Sequence, residues 1–205
     1  MEIINNSNSV IIVLHEIYGI NQHIQSVCKR FSTEGYDIIC PNLISTSQPY
    51  TYDLQEEAYH HFMDKVGFDS AVQEVKQIIV KAQQKYMNVF IIGYSIGATI
   101  AWLCSNEENI CNGIIGYYGS RIRDYMNITP QCPTLLLFSK EESSFDVKEL
   151  VASLEKQQVD VHILEGKHGF SDLFSENYCE KSSEEAARLV DKFLMNYTNS
   201  KGMED

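Results

Sequence analysis

The chain has 205 residues, of which 44% are hydrophobic and 21% are charged, as in an ordinary globular protein. Its 28 acidic and 16 basic residues give a net charge of −12, which argues against nucleic acid and anionic membrane surfaces as partners. The six cysteines are irregularly spaced and none forms a C-x-x-C pair. No apolar run approaches the roughly 18 residues that span a bilayer, and no signal peptide opens the chain. We therefore expect a cytoplasmic protein with reduced thiols and no metal site.

Short apolar runs alternate with longer amphipathic stretches throughout the chain. In chain order, the predicted elements are an edge strand (1–4), a strand (10–14), a helix (21–34), a strand (36–40), an excursion over the sheet (42–66), a helix (68–85), a strand (89–92), a helix from 98, strands (113–117 and 134–138), a helix (145–157), a strand (159–164) and a closing helix (182–197). Continuous apolar strands separated by helices predict an α/β fold, with a mostly parallel sheet covered by helices on both faces. We expect residues 1–198 to form one domain and residues 199–205 a flexible tail.

The most informative motif is Gly93-Tyr94-Ser95-Ile96-Gly97, which lies between a predicted strand and a predicted helix. A G-x-S-x-G sequence in this setting is typical of a nucleophile elbow, a sharp turn that exposes the serine. The flanking glycines have no Cβ to clash with the closely packed strand and helix. The motif predicts that Ser95 is the nucleophile of a hydrolase. The alternative is a coincidental strand–turn–helix with a serine in its turn.

A serine hydroxyl needs a base to remove its proton, and histidine is the usual one. Only His15 and His168, of six histidines, directly follow a predicted strand. His168 lies in the glycine-flanked loop 165–170, so we predict that it is the base; the alternative is an ordinary surface histidine.

A carboxylate should lie between the serine and the histidine in chain order. The candidates after the strand 134–138 are Glu141, Glu142, Asp146 and Glu149. Glu149 falls within a predicted helix, and position alone does not separate the other three.

An oxyanion hole needs two backbone N–H donors, one of them directly after the nucleophile. Ile96 is that residue, and Ile17, in the loop 15–19 after the first central strand, is the expected second donor. Glu16 in the same loop is expected near Ser95; alternatively, it is a structural acceptor that braces the loop.

From residue 10 to residue 194 the chain resembles the dienelactone hydrolase family of α/β-hydrolases. The segments that carry the resemblance are 13–21 (strand–Glu–Ile–aromatic–Gly–x–Asn), 31–41 (helix end, Glu-Gly-Tyr and a strand ending in Pro), 116–119 (Tyr-Tyr-Gly) and 167–170 (His-Gly-Phe). The resemblance implies that His168 is the base and that the loop after Leu14 forms the oxyanion hole. It places Glu142 where the family usually has aspartate, with Asp146 in reserve.

Two departures from the family bear on chemistry. Ser95 stands where the best-known members have a cysteine. Gln55 and Asp172 stand where those members have two arginines that bind the carboxylate of an anionic lactone. A carboxylate facing Asp172 would be repelled. Tyr59 falls where the fold usually builds its substrate lid; the alternative is an ordinary amphipathic helix surface.

These patterns together predict a serine hydrolase that acts on a small, uncharged ester, lactone or thioester through an acyl-enzyme, without a cofactor. One alternative is a small-molecule sensor with slow or absent turnover on the same fold. Another is a hydrolase inactivated by its Glu-for-Asp change. The expected partner is a small-molecule substrate, and the patterns leave open whether the protein is a monomer or a homodimer.

Overall fold

A seven-stranded sheet organises the chain. The computed structural model describes residues 1–142, 145–157 and 159–198. The strand order is β1-β3-β2-β4-β5-β6-β7, and every neighbouring pair is parallel except β1 with β3. The predicted edge strand and the predicted α/β fold are confirmed. The strands are β1 (Glu2–Ile3), β2 (Ser9–Leu14), β3 (Asp37–Ile39), β4 (Asn88–Tyr94), β5 (Gly113–Tyr117), β6 (Thr134–Glu141) and β7 (Asp160–Lys167).

Helices cover both faces of the sheet because successive strand residues point to opposite sides. The helices are α1 (Gln22–Thr33), α2 (Gln55–His61), α3 (Gly67–Gln83), α4 (Ile96–Cys104), α5 (Val147–Glu155) and α6 (Glu180–Thr198). In β4, Phe90 and Ile92 pack with α1 and α6, whereas Val89 and Ile91 pack with α3 and α4. Trp102 of α4 joins a third apolar cluster with α5. None of the described helices is long and apolar enough to cross a bilayer.

The last two strands are longer than predicted. The pairing of β6 with β7 continues through an irregularity after Ser139 to Glu141 and Lys167, and Gly166 allows it with a φ of +101°. Residues 165–167 therefore belong to a strand, not to the loop predicted at 165–170. As a result, Glu142 and His168 each directly follow a strand end, at neighbouring positions on the same edge of the sheet.

The predicted excursion 42–66 contains α2, which continues through a π-helical turn (Phe62–Val66) into α3. It packs against the same face of the sheet as α3 and α4. The predicted tail 199–205 lies outside the described residues.

Candidate active site

Ser95 lies in a strained turn between β4 and α4, with φ +53° and ψ −112°. Positive φ is uncommon for a residue with a side chain and persists only where the surrounding structure enforces it. A Cβ on Gly93 would lie 2.2 Å from the Gly97 carbonyl oxygen, and one on Gly97 would lie 2.3 Å from the Leu14 carbonyl oxygen. Only glycine fits at either position, so the predicted strand–turn–helix is present with the packing that the motif requires.

His168 connects Ser95 to Glu142. Its Nε2 lies 2.9 Å from the Ser95 Oγ, and its Nδ1 lies 3.1 and 3.3 Å from the two Glu142 oxygens. The Glu142 side chain is only 5% exposed, and the Ser139 hydroxyl also donates to its Oε1. A carboxylate accepts the Nδ1 proton, which leaves the Nε2 lone pair facing the serine hydroxyl. This is the arrangement that a serine nucleophile and its base require.

The other three carboxylate candidates point elsewhere. Glu141, Asp146 and Glu149 are exposed. The Asp146 side chain accepts a hydrogen bond of 2.8 Å from the Lys148 N–H and caps α5. Among the described residues, Glu142 is therefore the one candidate of the four that contacts His168, and the reserve candidate Asp146 has a structural role.

His15 is fully buried and holds the loop after β2 in place. Its Nε2 accepts a hydrogen bond of 2.9 Å from the Leu43 N–H, and its Nδ1 lies 2.6 Å from the Glu16 carbonyl oxygen. These partners fix a neutral ring protonated on Nδ1. Burial lowers the pKa of His15 to about 4, since a buried imidazolium loses its hydration. Of the two histidines predicted at strand ends, only His168 contacts Ser95.

The two expected oxyanion donors belong to segments that touch each other. Gly97 packs directly against the carbonyl groups of Leu14 and His15, which brings the start of α4 against the loop of Ile17. In the part of the chain that the structure describes, the N–H groups of Ile17 and Ile96 donate to no protein acceptor. Both residues are buried, at 9% and 4% exposure. Unpaired N–H donors on the two segments that meet at the serine turn are suited to stabilising an oxyanion.

Glu16 belongs to a buried group of ionisable side chains, and His168 is among the groups whose charges act on Glu16. Burial raises the pKa of its carboxyl; the next causes are His23, which lowers it, and Asp172, which raises it. Asp172 is 1% exposed, and it accepts hydrogen bonds from the Tyr52 hydroxyl at 2.5 Å and the Phe174 N–H at 2.8 Å. Asp172 is therefore a buried member of this group, which differs from the expectation that it faces the substrate. Its negative charge still disfavours a nearby anion.

Two residues near the site were not predicted from the sequence as site residues. Arg121 follows β5, and its guanidinium donates to the hydroxyl of Tyr59 on α2 and pairs with Asp124 at 3.0 Å. Tyr118 has a φ of +40°, and its ring centre lies 4.9 Å from that of His168. Tyr118 belongs to the Tyr-Tyr-Gly segment, so the resemblance carried a signal for it. The sequence carries no such signal for Arg121, because nothing in the residues around it indicates a contact with an α2 residue 62 positions away.

No group of three or more His, Cys, Asp or Glu side chains is arranged to hold a metal ion within residues 1–142, 145–157 and 159–198. The polar chemistry described above rests on side chains and backbone N–H groups.

Known proteins resemble this chain over most of its length. The family model for the dienelactone hydrolase family matches residues 3–198. The uncharacterized protein YczH of Bacillus subtilis is 36% identical over 165 residues, which are 79% of this chain and 80% of YczH. The carboxymethylenebutenolidase of Pseudomonas putida is 25% identical over 137 residues, which are 63% of this chain and 58% of that protein. Among solved structures, the dienelactone hydrolase-like promiscuous phosphotriesterase P91 from metagenomic libraries has the same fold, with a TM-score of 0.73, 15% identity and coverage of 93% of this chain and 87% of P91.

Proposed function

Because this chain belongs to the dienelactone hydrolase family, whose members are hydrolases of ester bonds, we propose that it cleaves a small, uncharged ester, lactone or thioester through an acyl-enzyme on Ser95. One observation carries the proposal. His168 lies 2.9 Å from the Ser95 hydroxyl through one ring nitrogen and 3.1 Å from the Glu142 carboxylate through the other. A serine without such a base is a poor nucleophile.

In the proposed reaction, the His168 Nε2 removes the proton of Ser95 as its Oγ attacks the substrate carbonyl. Glu142 stabilises the resulting imidazolium, and the N–H groups of Ile17 and Ile96 stabilise the oxyanion. The tetrahedral intermediate collapses as His168 protonates the leaving group, which yields the acyl-enzyme. A water molecule, deprotonated by His168, then attacks the acyl group and releases the acid and free Ser95.

The charges around the site support an uncharged substrate. Glu16 and Asp172 are buried, and Asp172 and His168 are both among the groups whose charges act on Glu16. The guanidinium described above, that of Arg121, is paired with Asp124 at 3.0 Å. A substrate carboxylate would have to compete with Asp124 for Arg121 and would be repelled by the negative charge of Asp172. The expected partner is therefore a neutral small molecule, not nucleic acid or a membrane.

Removing the nucleophile tests the proposed reaction. Ser95→Ala should abolish hydrolysis of p-nitrophenyl acetate and butyrate while the circular dichroism spectrum stays unchanged. Ser26→Ala is the matched control, because that hydroxyl lies on the exposed side of α1 and donates only to the Gln22 carbonyl. Unchanged esterase activity in Ser95→Ala would refute the assignment of the nucleophile.

The sensor alternative makes a different prediction for the same protein. A fluorophosphonate probe should label Ser95 in the wild-type chain and in Ser26→Ala but not in Ser95→Ala. Failure to label Ser95, together with a small ester that raises the melting temperature without being consumed, would favour the sensor over the hydrolase.

The substrate charge is tested separately with the acetate, hemisuccinate and betaine esters of one alcohol, whose acyl groups are neutral, anionic and cationic. The neutral ester should have the highest kcat/KM. The contact of Arg121 with Tyr59 supports a rival possibility, an anionic substrate bound at α2. A preference for the succinate ester that Arg121→Gln removes would establish that rival.

We further propose that the reaction takes place in the cytoplasm. All six cysteines lie in the described part of the chain and none is in a disulfide, as expected for a protein of a reducing compartment. Fractionation of cells that express the tagged chain would test this location.

A further inference from the structure

Two cysteines from different loops meet at the end of the sheet opposite Ser95. Cys111 lies just before β5 and Cys132 just before β6, and these strands are parallel neighbours that align Ile114 with Thr134. The loops that enter the two strands are therefore adjacent, and the two Sγ atoms lie 3.8 Å apart. A disulfide bond is about 2.05 Å long, so joining the two sulfurs requires a movement of about 2 Å.

The two thiols differ in their access to solvent. Cys132 is half-buried and lines a surface cavity of about 390 Å³, which Lys192 and His162 also line. Cys111 is only 8% exposed and lies behind Cys132. Its thiol donates a hydrogen bond to the Cys132 sulfur, and this bond lowers the pKa of Cys132. A small molecule in the cavity can thus reach the thiol that ionises more readily, while the second sulfur lies 3.8 Å from the first.

We propose that Cys111 and Cys132 form a reversible dithiol–disulfide pair that reacts with small-molecule disulfides. Cys132 is the attacking thiol, and Cys111 resolves the mixed disulfide. The Cys132 thiolate attacks one sulfur of the small disulfide and releases one thiolate, which leaves a mixed disulfide on the protein. Cys111 gives up its proton, its sulfur attacks the Cys132 sulfur, and a second small thiol leaves. Overall, two protein thiols are oxidised and one small disulfide is reduced to two thiols.

The chain supplies its own comparison thiols. Cys28 and Cys40 also neighbour each other, but both are fully buried, so a dissolved disulfide has no route to them. Cys179 is half-buried, and it pairs with the Ser182 hydroxyl at 3.4 Å instead of another thiol. Cys179 should therefore stop at a mixed disulfide. Only the pair at the cavity combines access with a resolving partner.

Oxidation of the pair should change stability more than activity. The new bond would close a loop between residues 21 positions apart, which restricts the unfolded chain. We expect a melting temperature higher by roughly 5–10 °C in the oxidised protein. The pair is separated from the Ser95 edge by the length of β5, about 16 Å for five residues, so ester hydrolysis should stay within about twofold of the reduced form.

The experiment starts from the fully reduced full-length chain, which is titrated with oxidised glutathione, then denatured, alkylated with iodoacetamide and mapped by peptide mass spectrometry. In the wild type, the alkylated forms of Cys111 and Cys132 should disappear together while one cross-linked peptide that contains both cysteines appears. Dithiothreitol should restore both thiols. Cys111→Ala should stop at a glutathione adduct on Cys132, and Cys132→Ala should leave Cys111 free. Cys179→Ala should leave the cross-link unchanged.

Two outcomes would overturn the proposal. The first is a wild-type chain in which Cys111 stays alkylatable while Cys179 is fully converted to its adduct. The second is a stable glutathione adduct on Cys132 without a cross-link. Both results come from the wild-type chain, so they do not depend on the folding of any variant. Neither involves Ser95, so the esterase assay and the thiol map succeed or fail independently.

Discussion

Replacing the carboxylate beside His168 is the sharpest test of the proposed site. In Glu142→Gln the side chain keeps its size but loses its charge, and its amide can donate a hydrogen bond to Nδ1. That bond would favour the tautomer with the proton on Nε2, which cannot accept the proton of Ser95. The fold should survive, because the amide oxygen can still accept from the Ser139 hydroxyl.

The size of the effect follows from the geometry. The Glu142 oxygens lie 3.1 and 3.3 Å from the His168 Nδ1. At this separation, with an effective dielectric constant of about 20, a carboxylate stabilises an imidazolium by about 5 kcal/mol. The imidazolium forms as Ser95 loses its proton and persists until the leaving group is protonated, whereas the resting enzyme has a neutral ring, so the loss falls on the transition state. We expect kcat/KM to decrease by about 10³- to 10⁴-fold.

The assay is p-nitrophenyl butyrate hydrolysis at neutral pH, with Asp146→Asn as the matched control. Asparagine caps a helix as well as aspartate does, so the control should retain activity within about twofold. A decrease of less than about tenfold in Glu142→Gln would refute the role of its charge. Equal, small losses in both variants would remove both carboxylates from the mechanism and would favour the inactivated-hydrolase alternative.

Three further predictions concern the frame of the site. Burial lowers the pKa of His15 from 6.5 to about 4. Protons therefore bind the unfolded chain in preference to the folded chain as the pH falls through this range. The free energy of unfolding, measured by urea denaturation, should decrease by about 2 kcal/mol from His15 alone between about pH 8 and pH 5. His15→Gln should lose this component and His60→Gln should keep it, and an unchanged pH dependence in His15→Gln would contradict the argument. Ser95→Gly relieves the strained φ of +53°, so it should be more stable than Ser95→Ala by about 1 kcal/mol in chemical denaturation, whereas equal stabilities would show that the turn is not strained. Gly97→Ala places a methyl group against backbone and should cost about 3 kcal/mol or more, whereas Gly35→Ala, which meets open space and bears only the strain of a positive φ after α1, should cost only about 1 kcal/mol; similar thermal shifts for the two would exclude a steric cause.

The sequence predicted the central strands because their residues are buried on both faces and form uninterrupted apolar runs. The strands predicted for β6 and β7 are too short because the last residues of both strands are polar. Lys140 and Glu165 are both exposed, and their ion pair of 2.7 Å joins the two strands where no apolar side chain is needed. Apolar periodicity cannot indicate a strand that continues through charged pairs on an exposed surface. Two of the three proposed catalytic residues, Glu142 and His168, directly follow these two strands.

The site itself was predictable to different degrees. The spacing around Ser95 and the glycines around His168 gave these two residues, because sharp turns impose strict local requirements. Glu142 and Asp146 could be separated only by the register implied by the family resemblance. The contact of Arg121 with Tyr59 and the burial of Asp172 depend on how distant segments pack, which leaves no local signal. The structural role of His15 likewise depends on Leu43, 28 positions away.

The placement of the proposed triad along the chain has a consequence for protein synthesis. Ser95 and His168 are 73 positions apart, and His168 directly follows β7, the strand at the edge of the sheet. A nascent chain that has already formed β2, β4 and the serine turn still lacks the histidine that the proposed mechanism requires. We therefore expect a fragment that ends before residue 168 to be inactive. Under the proposed mechanism, the appearance of esterase activity during translation or refolding would mark the docking of β7 and not the earlier collapse of the chain.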